Sequence, residues 1–407
     1  MNIIIVNDYA YINGGAGQIA FQTAKLLNKE GHHVIFFSAV GPVDENLSKS
    51  GIEVVCLGQY DILNDPNRAR AAILGLWNFR AGVEMKKVLS NFSPDNTIIH
   101  IHGLSKSLTT SIVRVAHSMG FKILYHLHDY GIACPNLGFF NYREQQICHR
   151  RAMGFDCVFT NCDSRSYAQK MWRLLRQIIQ KNIGGVPKYI DGFIYISQFS
   201  LNMLKEYIPK QSRLYYLRNP LEVEKTYPIE VRNNKAFIFV GRLSKEKNPA
   251  LLAKAARDLD VPVIFVGDGE ERNHIKTIYP KAEIVGWVHH QKIYKYMNRA
   301  RTLVFPSLLG ETQGLTAFEA QAYGVPVIVS DECAAREAII PGKTGWTFHN
   351  NSLKDLKKHM TMALDDHTIE IMGRESFHSF WDNGNSKNEE YIHKLKDIYI
   401  ETLISKG

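Results

Sequence analysis

The chain has 407 residues, too many for one ordinary hydrophobic core, so two domains of near-equal size are expected. Hydrophobic residues make up 45% and charged residues 22%, close to the averages of soluble globular proteins, and no low-complexity tract or short repeat interrupts the chain. The formal net charge is +9, and its excess lies in residues 1–220, with 24 Lys and Arg against 15 Asp and Glu, while 221–407 carry 25 against 25; the first half therefore expects an anionic partner, nucleic acid or membrane phosphates.

From the first residues, short β-branched runs alternate with helical patterns. Ile3–Val6, Val34–Phe37, Val54–Leu57, Thr97–Ile101, Lys122–Leu127 and Phe193–Ile196 read as parallel strands of an α/β sheet. No stretch approaches the roughly 18 apolar residues of a membrane-spanning helix, and Ile3–Val6 is too short, with no charge before it, for a signal peptide. A cytoplasmic protein is expected.

Between the first strand and the first helix stand Gly14, Gly15 and Gly17, which let backbone approach a ligand closely, although the full dinucleotide fingerprint is missing and a plain tight turn reads equally well. The fifth strand ends in His126, His128 and Asp129. Alternation puts both histidines on one face, and only His128, at the C-terminal end, readily enters a cleft; His100 and His102, at the end of the fourth strand, are weaker candidates.

Residues 131–190 break the rhythm and read as an insertion, where function often resides. Cys134, Cys148, Cys157 and Cys162 fall there with separations of 14, 9 and 5, unlike the paired knuckles of common zinc modules, so buried free thiols are favoured over structural zinc. Residues 164–182 carry Arg165, Lys170, Arg173, Arg176 and Lys181 with no acid, and apolar residues at helical spacing. This basic amphipathic helix either packs on the first domain with a solvated basic face or binds an anionic membrane surface through about 165–181.

After Asn219-Pro220 the pattern restarts, with strands at Ala236–Val240, Pro262–Val266, Ile284–Val285, Leu303–Phe305 and Val327–Val329. Two domains are expected, 1–218 and 219–386, with a cleft between them. A final helix, about 387–404, follows the bend residues Asp382, Asn383, Gly384 and Asn385 and is expected to return to the first domain.

The clearest chemistry lies at 306–330. Glu311 and Glu319 have seven residues between them, and a helix starts near Gly314 or Leu315, so Glu311 sits in the loop before it and Glu319 just over one turn inside it. Free N–H groups of Gly314, Leu315 and Thr316 at the positive helix end suit a pyrophosphate, and a carboxylate suits a pair of sugar or ribose hydroxyls. Upstream, Arg242 and Lys247 share one loop after a strand and can face a diphosphate leaving group.

These segments resemble the retaining glycosyltransferases of family 4, in the GT-B class, across nearly the whole chain: Gly241-Arg242, the following Lys247, and the two glutamates at matching spacing. The resemblance implies two Rossmann-like parallel-sheet domains facing a central cleft. It also implies that Arg242 and Lys247 clamp the diphosphate, Glu319 holds the ribose, Glu311 touches the transferred sugar, and His128 contacts the donor. Gly14 and Gly15 would close over the reaction centre, and the loops "VGDGE" and "VGWV", with Gly269 and Val288, would hold the base. Gln313, between Thr312 and Gly314, departs from the aromatic or small residue common there and leaves the sugar unnamed.

"HDY…ACPN…NCDSRSY" also resembles the insertion of bacterial family 4 enzymes of surface-polysaccharide assembly, which implies a lipid-linked saccharide acceptor at the inner face of the cell membrane. The sequence is read as having no Asp-x-Asp triplet to hold a divalent cation, so protein cations are expected to take that role, with no metal for the chemistry and no cofactor beyond the nucleotide sugar. The expected rivals are a sugar-nucleotide epimerase of the same architecture, which needs no acceptor, and a basic nucleic-acid-binding protein, which has no recognisable module here.

Overall fold

The computed structural model describes residues 1–382 and 388–405 and divides into two units. The bend at Asn383–Asn385 and Lys387, the first residue of the expected final helix, lie outside the described residues.

The first unit comprises Met1–Gly138, Arg150–Pro220 and the C-terminal helix. Its β-branched runs form parallel strands β1 (Asn2–Val6), β2 (His33–Val40), β3 (Glu53–Gln59), β4 (Thr97–Ile101) and β5 (Lys122–His126). A short antiparallel pair, β6 (Phe140–Asn141) and β7 (Gln146–Ile147), follows, and then β8 (Gly192–Tyr195) and β9 (Arg213–Tyr216) complete the first sheet. Its order, β3-β2-β1-β4-β5-β8-β9, is that of a doubly wound fold, with helices required on both faces because the central strands are buried on each. Strand β9, absent from the expected set, alternates half-buried and exposed residues at the sheet edge and so shows no apolar run.

The C-terminal helix Asn388–Ile404 packs into this unit. Tyr391, Leu395 and Tyr399 join the core of Ile3, Phe36 and Ile98. Their polar tips are satisfied: Tyr391 Oη lies 2.8 Å from Thr23 Oγ1, and Tyr399 Oη lies 2.7 Å from His100 Nδ1.

The helix expected as a basic amphipath forms at Tyr167–Asn182, capped by Ser166 Oγ, which accepts from the Gln169 N–H. Leu174 turns inward as expected, but much of the rest is reversed. Lys170, Arg176, Gln177 and Gln180 are buried, whereas Met171, Leu175 and Ile178 are each more than 40% exposed. Loop carbonyls explain the inversion: Arg176 donates to the Ser105 and Pro135 carbonyls, and Gln177 to those of Gly131 and Ile132. Buried polar groups must be paired, and these loops supply the acceptors.

The second unit comprises 221–382 with Phe139–His149, so β6 and β7 cluster with it and not with the rest of the expected insertion. Its strands are β10 (Ala236–Val240), β11 (Val263–Val266), β12 (Glu283–Gly286), β13 (Ala300–Phe305), β14 (Val327–Ser330) and β15 (Gly345–Phe348). All pair in parallel, in the order β12-β11-β10-β13-β14-β15. Strand β15 was not expected, because it is short and opens on a glycine; a Cβ at Gly345 would lie 2.2 Å from the Val327 carbonyl oxygen.

Candidate functional site

In the second unit, β10 ends at Gly241 and the chain enters the loop of Arg242 and Lys247. The Glu246 carbonyl accepts from the N–H groups of Leu308 and Leu309, which ties this loop to the one after β13. Lys247 is consequently ion-paired with Glu311, and Ser307 Oγ donates to the same carboxylate oxygen at 3.0 Å. Arg242 is held by Glu246 at 2.6 Å, with its own side chain 68% exposed. The four charged groups thus neutralise one another in two pairs.

Gly314 caps the helix Leu315–Ala322 with φ +78°, and an added Cβ would lie 2.5 Å from Ala335 Cβ, so only glycine fits this entry. No side chain caps the helix, and its first N–H groups, at Leu315 and Thr316, have no intrahelical partner by geometry. One turn further, Glu319 is 5% exposed. His290 Nε2 lies 2.8 Å from its Oε1, while its Oε2 has no hydrogen-bond partner. The hydrogen bond to Glu319 holds the His290 imidazole above its usual range, against the opposing effect of burial. His290 was not among the expected residues; its place shortly after "VGWV" was the available signal. Gln313 is buried beside these groups in sequence, and its Oε1 also lacks a partner.

Gly269 has a packing reason of its own, since a Cβ there would lie 2.3 Å from the Leu243 carbonyl oxygen, and Val288 packs half-buried on the unit's core. The chain does carry one Asp-x-Asp triplet, Asp258-Leu259-Asp260, a correction to the sequence reading. Its carboxylates are paired with Lys357, Arg257 and Lys281 at the far end of the helix Pro249–Leu259.

In the first unit, Gly14 has φ +91° and starts the helix Gly15–Lys29 without a side-chain cap, and both Gly14 and Gly15 are exposed. Strands β4 and β5 bring four histidines together. His100 Nε2 lies 3.2 Å from His126 Nδ1, His102 Nδ1 lies 2.9 Å from His128 Nε2, and the rings of His126 and His128 stack 4.1 Å apart. Burial lowers the pKa of His100 and His128 to about 3 and those of His102 and His126 well below the usual value, so all four stay neutral near pH 7. Nearby, Asp8 accepts from the N–H groups of Lys106, Ser107 and Leu108 at 2.7–2.9 Å, and burial raises its pKa.

Among the described residues, the group that brings three metal-binding atoms within 4.8 Å of one another is His100, His102 and His126. The cysteines do not form such a group. Cys148 falls in the second unit; in the first, Cys157 and Cys162 surround the buried ammonium of Lys170, whose Nζ lies 3.5 and 3.0 Å from their sulfurs. Burial pulls the Lys170 pKa down, but the sulfurs of Cys162, Cys157 and Cys134 around it more than offset that and leave it raised.

Residues 226–377 match the family described as glycosyl transferases group 1. The chain is 28% identical over 189 residues to the UDP-Gal:alpha-D-GlcNAc-diphosphoundecaprenol alpha-1,3-galactosyltransferase of Escherichia coli, a match covering 43% of this chain and 48% of that one, about half its length. An uncharacterized 42.6 kDa protein in the cps region of Klebsiella pneumoniae is 23% identical over 351 residues, covering 81% and 85%. Among solved structures, Anabaena HepE in complex with UDP-glucose superposes with a TM-score of 0.68 at 16% identity, covering 98% of this chain and 100% of that one.

Proposed function

Since the chain carries a glycosyl transferases group 1 domain at residues 226–377, within a GT-B fold of two Rossmann-like units, we propose that it moves a hexosyl unit from a nucleotide diphosphate sugar to a lipid-linked or polysaccharide acceptor at the cytoplasmic membrane face. The observation that carries this reading is Glu319, a buried carboxylate with one oxygen held by His290 and the other left open. An open buried acceptor costs about 1–3 kcal/mol, and a ribose hydroxyl donating to it removes that cost.

Around it, the helix start at Gly314 offers N–H groups to the diphosphate, and Arg242 and Lys247 stand in the facing loop. As the sugar–phosphate bond breaks, charge grows on the leaving diphosphate, and these cations and N–H groups act where it grows. The diphosphate displaces Glu311 from Lys247, and the freed carboxylate is then available to the sugar. Attack on the face the leaving group departs from retains the anomeric configuration, with a leaving-group oxygen as base.

The acceptor assignment draws on the name of the Escherichia coli relative, which includes a diphosphoundecaprenol-linked sugar, and on the cps region of the Klebsiella relative. Membrane contact draws on the outward apolar stripe Met171, Leu175 and Ile178, flanked by the exposed Arg165 and Lys181.

A melting-temperature panel of UDP, GDP, dTDP and CDP in chelator tests the donor site, because a ligand of the native state must stabilise it. One nucleotide is expected to raise the melting temperature of the wild type and not of Glu319→Ala. No shift with any of them sinks the reading.

A further inference from the structure

The transferase reading leaves a strongly basic cavity of the first unit without a role. A space of about 330 Å³ opens between the helices Arg68–Leu76 and Tyr167–Asn182. Arg68, Lys106, Arg165, Arg173 and Arg176 line it, and among the described residues lining it none is acidic. Ile62, Leu63, Ala72, Leu137 and Trp172 supply the rest of the wall.

The walls are fixed before any ligand arrives. Trp172 Nε1 donates to the Ala72 carbonyl at 3.2 Å, and Gly75 lets the first helix approach so closely that a Cβ there would lie 2.9 Å from the Trp172 ring. Arg176, 4% exposed, lies against the Trp172 ring with its guanidinium carbon 5.4 Å from the centroid. Two of its nitrogens bind the Ser105 and Pro135 carbonyls, but its Nε has no partner. Arg173 is paired with the buried Asp163 at 3.0 Å, and Arg68 donates to the carbonyls of Leu63 and Asp65.

Lys106 has no ion-pair partner among the described residues. The acids behind it, Asp8 and Asp129, are engaged by backbone N–H groups. Burial and the neighbouring Arg176 lower the Lys106 pKa, and burial followed by Arg173 brings Arg176 to about 10. Cations held in this way are uncomfortable without an anion.

The geometry points to an oxyanion pocket that takes the diphosphate of an apolar alcohol, with the phosphates among Lys106, Arg176 and Arg68 and the start of the chain against Trp172 and Leu63. It rests on the transferase reading and deepens it, by placing the acceptor's charged group in the first unit. The helix that lines it also carries the exposed stripe Met171, Leu175 and Ile178, so a single element presents both a phosphate site and an apolar surface for the rest of a lipid.

The test is titration of the full chain, with UDP saturating, by farnesyl diphosphate and separately by inorganic diphosphate, using wild type, Lys106→Gln and Arg68→Gln. The expected result is that farnesyl diphosphate binds the wild type at least tenfold more tightly than either variant and more tightly than inorganic diphosphate. Lys106→Gln should melt no lower than wild type, since it removes an unpaired cation, which a merely structural lysine would not allow. Equal binding of inorganic and farnesyl diphosphate would overturn the lipid assignment in favour of a free-phosphate site. Equal affinity of farnesyl diphosphate for all three proteins, or no binding while UDP still stabilises them, overturns the pocket and leaves the transferase reading standing. Loss of the UDP response with farnesyl diphosphate binding intact does the reverse.

Discussion

His290 Nε2 and Glu319 Oε1 are 2.8 Å apart, an ion pair that spans the turn before β13 and the helix after it. Because Glu319 raises the His290 pKa, the folded protein holds a proton that the unfolded chain releases near pH 6.5. The stabilisation is therefore full below about pH 6.5 and fades as pH rises through the higher folded value. Between pH 6 and pH 9 the melting temperature of the wild type should fall relative to that of His290→Gln. Parallel curves for the two proteins would show that the pair carries no linked proton.

Gly314→Ala should damage the proposed donor site twice. The φ of +78° disfavours any Cβ, and the new methyl meets Ala335 at 2.5 Å. A cost of about 1–3 kcal/mol is expected in urea unfolding, with loss of the nucleotide-induced shift. Adding Ala335→Gly should recover part of the stability, because it removes the clash but not the backbone strain.

Tyr399→Phe removes one hydroxyl from the C-terminal helix and leaves His100 Nδ1 without its partner at 2.7 Å. Both residues are fully buried, so the loss should be about 1–3 kcal/mol, read as a lower urea midpoint with unchanged slope. An unchanged midpoint would mean that water takes the place of the hydroxyl.

Leu175→Asp with Ile178→Asp places charges on the exposed stripe of the helix Tyr167–Asn182. Each position is 46% exposed, so the melting temperature should change little. On the proposed membrane contact, co-sedimentation with vesicles should drop sharply and the wild-type binding should persist in high salt, since apolar contact is not screened by ions. Binding by the wild type that vanishes in salt would return the role to Arg165 and Lys181.

Much of this was legible in the sequence. The β-branched runs of β1 to β5 and β10 to β14 marked both sheets, because a strand buried on two faces needs apolar residues throughout. The spacing of Glu311 and Glu319 placed one in the loop and one in the helix. What spacing could not show was partnership. That Lys247 binds Glu311 and that His290 binds Glu319 are tertiary facts linking separate loops. The helix Tyr167–Asn182 misled for the same reason: hydrophobic periodicity assumes that apolar residues turn inward, and here the loop carbonyls of Ser105, Gly131 and Ile132 draw the polar side inward instead.

The helix Asn388–Ile404 completes the core of a unit whose first strand begins at Asn2. A ribosome delivers Ile3 and Phe36 long before Tyr399, so every strand of the second sheet leaves the exit tunnel while the first core still lacks its last wall. At about 5–20 residues per second, the gap between β9 and the final helix is on the order of ten to thirty seconds, enough for the second unit to fold unaided. The domain encoded first is thus the last to close, and until it does, the faces of Phe36 and Ile98 that await the helix are surfaces a chaperone could hold.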